Sequence, residues 1–232
     1  MRNKFIFIFF FSFICTSVFA ENLKIKAKNI TLDKNKKISI FENDVLVETD
    51  DGIKIESDYV EYNKEKRFLI LKKNIKSTDI KKNTIKTEYA EYDEVKKIFI
   101  SKGPTKIITS ENYVIESEDI ILNKEKNFIK SEDETKIIDK DKNLIFLDNF
   151  EYLIKKDIFK SVGKIRIEDN KQNTYNFSQI YIDTKKKEIL GTDIKAFLNN
   201  EDFKYKKENN PRIFANTLHL KKDNSSFKKG VF

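Results

Sequence analysis

Few side chains in this sequence could perform covalent chemistry. Its 232 residues include one histidine, His219, and one cysteine, Cys15. A catalytic centre needs a nucleophile, a general base and an orienting group gathered in one place. His219 stands between Leu218 and Leu220, on the opposite side of an alternating strand from that apolar pair, which makes it a solvent-facing residue. Carboxylates are abundant, among them Glu56, Asp58, Glu61, Glu116, Glu118 and Asp119. A catalytic pair would appear once and break its surroundings, whereas these recur with a repeat, as a solvated face does. No glycine-rich phosphate loop, zinc spacing or calcium repeat is present, so scattered carboxylates would be the one means of holding a metal ion. The residue types point to a protein that is not an enzyme and needs no cofactor.

What places these residues is a repeat. Val60 and Tyr62 precede a charged loop, and Phe68 and Ile70 follow it, which is the sequence form of a β-hairpin. The phrase recurs at thirty-residue intervals: Ile30, Leu32, Ile38 and Ile40 before it; Ala90, Tyr92, Ile98 and Ile100 after it; then Ile120, Leu122 and Phe128. Phe150, Tyr152 and Ile158 continue the series, Ile180, Ile182 and Ile189 follow with one extra loop residue, and Leu218, Leu220 and Phe227 close it after an eight-residue insertion. A repeat of this length running from end to end sets the architecture. Charged residues at 36% and hydrophobic ones at 39% would by themselves fit disorder. The strand-period spacing of the apolar residues argues instead for a folded all-β protein with a very polar exterior.

Each unit holds two strands, and in both the apolar positions change parity midway. Ile55 gives way to Val60 and Tyr62, Ile38 and Ile40 to Val45 and Val47, and Phe68 and Ile70 to Ile75. A one-residue slip turns the second half of a strand to the opposite face unless a bulge or bend restores it. Every strand is therefore expected to be kinked in register, giving two sheet walls that enclose an apolar interior. The loops at residues 33–37, 63–67, 93–97 and 123–127 open with Asn or Asp, which suit turn starts. Asn43, Asn74, Gly103, Gly163 and Gly191 lie near the second-strand slip, where a backbone tolerant of unusual φ is useful. About fourteen antiparallel strands are expected, stacked over roughly 65 Å. A β-solenoid is the rival architecture at this period.

Residues 1–20 begin with Arg2 and Lys4, continue through an apolar run ending near Cys15, and close on Val18, Phe19 and Ala20. This is the form of a cleaved secretory signal peptide, leaving residues 21–232 as the mature domain, free of cysteine. The net charge of +8 falls to +6 when Arg2 and Lys4 are removed, since residues 1–20 carry no acid. Lys and acidic residues are interspersed in the manner of a solvated surface, with attraction to an anionic ligand or membrane as the other reading. Export and the core-parity aromatic residues argue against nucleic acid.

The signal peptide, the cysteine-free mature region, the kinked repeats and an Asn/Gly-x-Val/Ile phrase after each hairpin resemble the OstA-like family. This is the β-jellyroll of the lipopolysaccharide transport proteins LptA and LptC and of the N-terminal periplasmic domain of LptD. Asn210, Pro211, Arg212, Ile213, Phe214, Ala215 and Asn216, with Lys229, Gly230, Val231 and Phe232, look most like the end of that LptD domain. The resemblance implies a periplasmic protein that passes lipopolysaccharide towards the outer membrane, acyl chains inside and sugars outside. It also implies partners: other OstA-like proteins joined through edge strands, at residues 23–32 and at 213–220 and 227–232, and an outer-membrane barrel if the chain is an LptD. The expected lining is Ile30, Leu32, Ile38, Ile40, Val45, Val60, Tyr62, Phe68, Ile70, Tyr92, Ile98, Ile100, Ile120, Leu122 and Phe128. An interior of such residues can hold acyl chains; a closed core in a structural or adhesive β-repeat protein, without any lipid, is the alternative. A sugar-binding sandwich should expose aromatic residues on one face, and here most follow core parity.

Overall fold

The computed structural model describes residues 23–186, 188–199, 212–221 and 225–231. The signal peptide read at residues 1–20 lies outside them, as do Asn210, Pro211 and Phe232 of the C-terminal phrase. The chain is all-β, and its described residues form nineteen segments of one antiparallel sheet. The first are β1 (Lys24–Lys26), β2 (Asn29–Asp33), β3 (Ile38–Glu48), β4 (Lys54–Asn63), β5 (Phe68–Thr78) and β6 (Thr84–Asp93). The middle of the stack is made of shorter pieces: β7 (Ile98–Ser101), β8 (Thr105–Ile108), β9 (Val114–Ser117) and β10 (Ile121–Asn123). With them come β11 (Phe128–Ser131), β12 (Thr135–Ile138), β13 (Leu144–Leu147) and β14 (Phe150–Leu153). The last are β15 (Ile158–Glu168), β16 (Thr174–Asp183), β17 (Glu188–Phe197), β18 (Arg212–Leu220) and β19 (Ser225–Lys228).

Five consecutive pairs, β1–β2, β7–β8, β9–β10, β11–β12 and β13–β14, are the two halves of single bent strands. Fourteen bent strands result, each antiparallel to the next. Hairpin connections of this kind rule out the parallel coils of a solenoid. The bend divides the sheet into two walls. The first wall ends in turns at residues 34–37, 64–67, 94–97, 124–127 and 154–157, the second in turns at 50–52, 80–82, 110–112, 140–142 and 170–172.

Local chemistry fixes both kinds of turn. On the first wall, Asp33, Asn63, Asp93, Asn123 and Asp183 accept backbone N–H groups two or three residues on, the Asx turn. The N–H of Lys96 on Asp93 and that of Lys186 on Asp183 hold these carboxyls below the usual carboxylate range. A carboxylate with a depressed folded pKa adds stability above its unfolded value of about 3.9 and loses it as pH falls through the folded value. The urea midpoint is therefore expected to drop as the pH is lowered below about 4; a midpoint that rises on acidification contradicts this. On the second wall the turns lock to one another. Asn83, Asn143 and Asn173 each donate to the Asp four residues earlier, and each accepts the N–H of Ser110, Asn170 or Asn199 in the next repeat.

The bend is a bulge, and its chemistry varies along the stack. Register shifts separate Glu42 from Val45, Glu56 from Tyr59, Lys72 from Ile75 and Val162 from Ile165. Asn43, Asn74, Gly103 and Gly163 adopt positive φ there. Gly191 does not, and the left-handed residue in its strand is Asp193. Gly191 is small for another reason: a Cβ would stand 2.6 Å from Cδ1 of Phe177 across the interior. Carbonyls displaced by the bulge need new partners, and Ser57 Oγ lies 3.0 Å from the carbonyls of both Tyr59 and Lys72. In the middle of the stack such hydroxyls are concentrated. Thr87, Ser101, Thr105, Ser117, Ser131 and Thr135 are all buried, with Thr105 Oγ1 2.8 Å from Ser101 Oγ and Ser117 Oγ 2.7 Å from Thr135 Oγ1. This polar layer coincides with the strands that break into short segments.

Between the walls lie two apolar clusters. One gathers Val45, Val47, Ile55, Val60, Leu69, Leu71, Ile75, Ala90, Tyr92 and Phe99; the other runs from Ile107 and Ile120 to Ala215 and Leu218. Ile85 packs against both. Side chains from the two halves of each bent strand meet in them, so the sheet is folded over on itself.

Candidate functional site

Residues directly opposite in an antiparallel pair share a face, so the register identifies which side chains face the interior. Two inner rows cross the first wall. The one nearer the bend follows Ile30, Phe41, Val60, Leu71, Ala90 and Ser101. The one nearer the turns is longer: Leu32, Ser39, Tyr62, Leu69, Tyr92, Phe99, Leu122, Ile129, Tyr152, Phe159, Ile182, Ile189 and Leu220. All of its members but Ser39 are apolar or aromatic. Leu69, Tyr92 and Phe99 are buried, and from Leu122 to Leu220 the row is half-buried. It follows the seam where the turn-bearing edges of the two walls approach.

Of the expected lining residues, the structure puts Leu32, Tyr62, Tyr92 and Leu122 in this row and Ile30, Val60 and Ile120 in or beside the other; Val45 faces them from the second wall. Ile38, Ile40, Phe68, Ile70, Ile98, Ile100 and Phe128 lie on the opposite face. Their partners are Asn63 for Ile38 and Phe68, Glu61 for Ile40 and Ile70, Asp93 for Ile98, Glu91 for Ile100 and Asn123 for Phe128. The physical reason is the turn. Four residues separate Asn63 from Phe68, so an even-numbered position always pairs with an odd one. The inner face therefore passes from Val60 and Tyr62 to Leu71 and Leu69, residues that reading by number overlooks. The second strand accordingly keeps odd parity through its bend, from Leu71 to Ile75, using two left-handed residues, Lys73 and Asn74.

The ends of the rows differ from their middles. Ile30 is 57% exposed and Leu32 65% exposed, although both face inward, because β2 is an end strand and, among the described residues, no further strand covers them. At the other end Phe227, opposite Leu218 on the inner face, is also exposed. Polar side chains border the seam. Glu94, 2% exposed, accepts from Arg67 Nε at 3.0 Å. Burial and the negative charge of Glu94 push the Tyr62 hydroxyl up to about 12. Lys124 Nζ lies 5.4 Å from the ring centre of Tyr92 and 2.9 Å from Asp51 Oδ2.

The residues weighed for chemistry are dispersed. His219 sits opposite Leu190 with Nε2 3.8 Å from Glu188. Glu61 accepts from Tyr59 and Lys72, Glu116 from Lys106, Asp58 from Asn74 and Asp119 from the N–H of Gly103. Among the described residues no three His, Cys, Asp or Glu side chains gather as a metal-binding group.

A family model described as OstA-like protein matches residues 28–144, half of the chain. Among curated proteins no relative matches. A solved structure that the chain matches is LptH, the LptA homologous periplasmic component of the conserved lipopolysaccharide transport device from Pseudomonas aeruginosa. The identity is 11%, the match covers 73% of this chain and 80% of that one, and the TM-score is 0.20.

Proposed function

The chain belongs to the OstA-like protein family, and from that premise we propose that it is a periplasmic carrier of lipopolysaccharide on its way to the outer membrane. The observation that carries the reading is the inner row from Leu32 to Leu220. It is apolar over nearly its whole length, half-buried over much of it, and uncovered at Leu32. Such a surface takes up acyl chains by burial alone, at about 0.8 kcal/mol per methylene, without covalent chemistry. Sugars of the same lipid stay outside the seam, beside the polar side chains that border it.

Residues 1–20 act as the export signal and residues 21–232 as the carrier domain. Among the described residues β2 and β19 are the end strands of the sheet; end strands are templates for strand addition, and further OstA-like proteins join there, with Phe214 and Val231 bridged beside the second. The phrase around Arg212 favours the LptD-type domain, with an outer-membrane barrel as its partner, over a free-standing LptA-type protein. Retention of radiolabelled lipopolysaccharide by the purified full chain in gel filtration tests the reading. Co-elution with the protein supports it, and complete separation in favour of a folded, lipid-free protein supports the closed structural repeat.

A further inference from the structure

The inner row is half-buried along most of its length but fully covered at Leu69, Tyr92 and Phe99. Over that stretch the two walls touch through their turns. Lys124 belongs to the first-wall turn after β10, and Asp51 to the second-wall turn after β3, 73 positions away in the chain. Their side chains meet across the seam at 2.9 Å. The ammonium also lies above the Tyr92 ring, so one cation holds both the opposite wall and the apolar row beneath it. Thr49 Oγ1 bonds Asp51 from the second wall, aiming the carboxylate towards Lys124. At the corresponding position one repeat earlier stands Glu94, which turns to Arg67 of its own wall, and one repeat later stands Ile154, which is exposed.

We propose that Lys124 and Asp51 form a latch across the seam, and that an acyl chain enters the stretch over Leu69, Tyr92 and Phe99 from the side when this latch opens. The inference rests on the carrier reading and adds its gate. An ion pair with one partner largely at the surface is weak, which suits a contact that must open and close. The stretch under it is the driest part of the row, so opening exposes apolar surface that only an apolar occupant can cover again.

The test follows entry of dansyl-labelled undecanoic acid into the full chain by stopped-flow fluorescence. Lys124→Ala and Asp51→Ala each raise the entry rate about two- to five-fold, the worth of an exposed pair. The charge-swapped double variant Asp51→Lys/Lys124→Asp returns it towards the original value, which a merely loosened fold does not do; thermal melting confirms that all variants fold. A second pair, Asp51→Cys with Lys124→Cys, blocks entry when oxidised and restores it when reduced. Equal entry rates in the original protein and all variants overturn the latch and leave the carrier reading intact. No dansyl enhancement in any protein overturns the carrier reading, and the latch with it.

Discussion

Leu71→Ala lowers the folding free energy by about 3 kcal/mol, within the range for removing a fully buried leucine, whereas Ile70→Ala next to it costs less than about 1 kcal/mol. Leu71 is 0% exposed, lies opposite Val60 and Ala90, and belongs to the first apolar cluster. Its removal leaves a cavity bounded by residues that the bent strands hold on three sides, so little collapse can fill it. Ile70 lies opposite Glu61 and Glu91 on the outer face and is half-buried among them. The same contrast is expected for Leu69 and Phe68. Urea titration of the four alanine variants measures it. Equal losses at Leu71 and Ile70 would sink the register on which the inner rows rest.

Ile30→Asp combined with Leu32→Asp weakens lipopolysaccharide retention by at least about tenfold, equivalent to 1.4 kcal/mol, and leaves the melting temperature nearly unchanged. Both residues are exposed already, so the folded protein loses little when they change. In the carrier they form the open end of the inner rows, where an acyl chain would bury them at a gain of roughly 1.5–3 kcal/mol each. A charge placed there must be desolvated by the incoming chain. Because charged residues on an edge strand also discourage strand addition, Thr31→Asp is the control. Thr31 lies between them on the opposite face of β2, so it alters the edge without altering the row. Lipid binding measured by retention of radiolabelled lipopolysaccharide separates the two. Undiminished retention in the double variant removes the open end from the binding path.

Much of the architecture is legible in the sequence because the thirty-residue spacing holds from Ile30 to Ile182. Val60, Ala90, Ile120, Phe150 and Ile180 stand thirty residues apart and all are buried. The bends show as parity slips in strands such as β4, where Ile55 and Ser57 pass to Val60. What misleads is a stretch such as Phe68, Leu69, Ile70 and Leu71, apolar at four consecutive positions. Periodicity cannot choose a face there; only the turn length can, and a turn one residue shorter than the apparent loop reverses the choice. The contact between turns across the seam is hidden for a different reason. Lys124 and Asp51 look like any turn residues among dozens of lysines and acids, and their meeting depends on how one wall folds over the other. The hydroxyl layer does have a signal at thirty-residue spacing: Thr105 and Thr135 stand between Ile75 and Ile165, Ser101 and Ser131 follow Leu71, and Thr87 and Ser117 precede Leu147 and Phe177.

Tyr62 and Phe68 give the sharpest comparison. They flank one turn, both are half-buried aromatic residues, and they face opposite sides of the same wall. Replacing each in turn by the photoreactive analogue benzoylphenylalanine changes the side chain conservatively at both places. After irradiation of the full chain with lipopolysaccharide, the carrier account predicts a lipid adduct at Tyr62 and none at Phe68. An adduct at Phe68 alone, or none at either position in a folded protein, contradicts it.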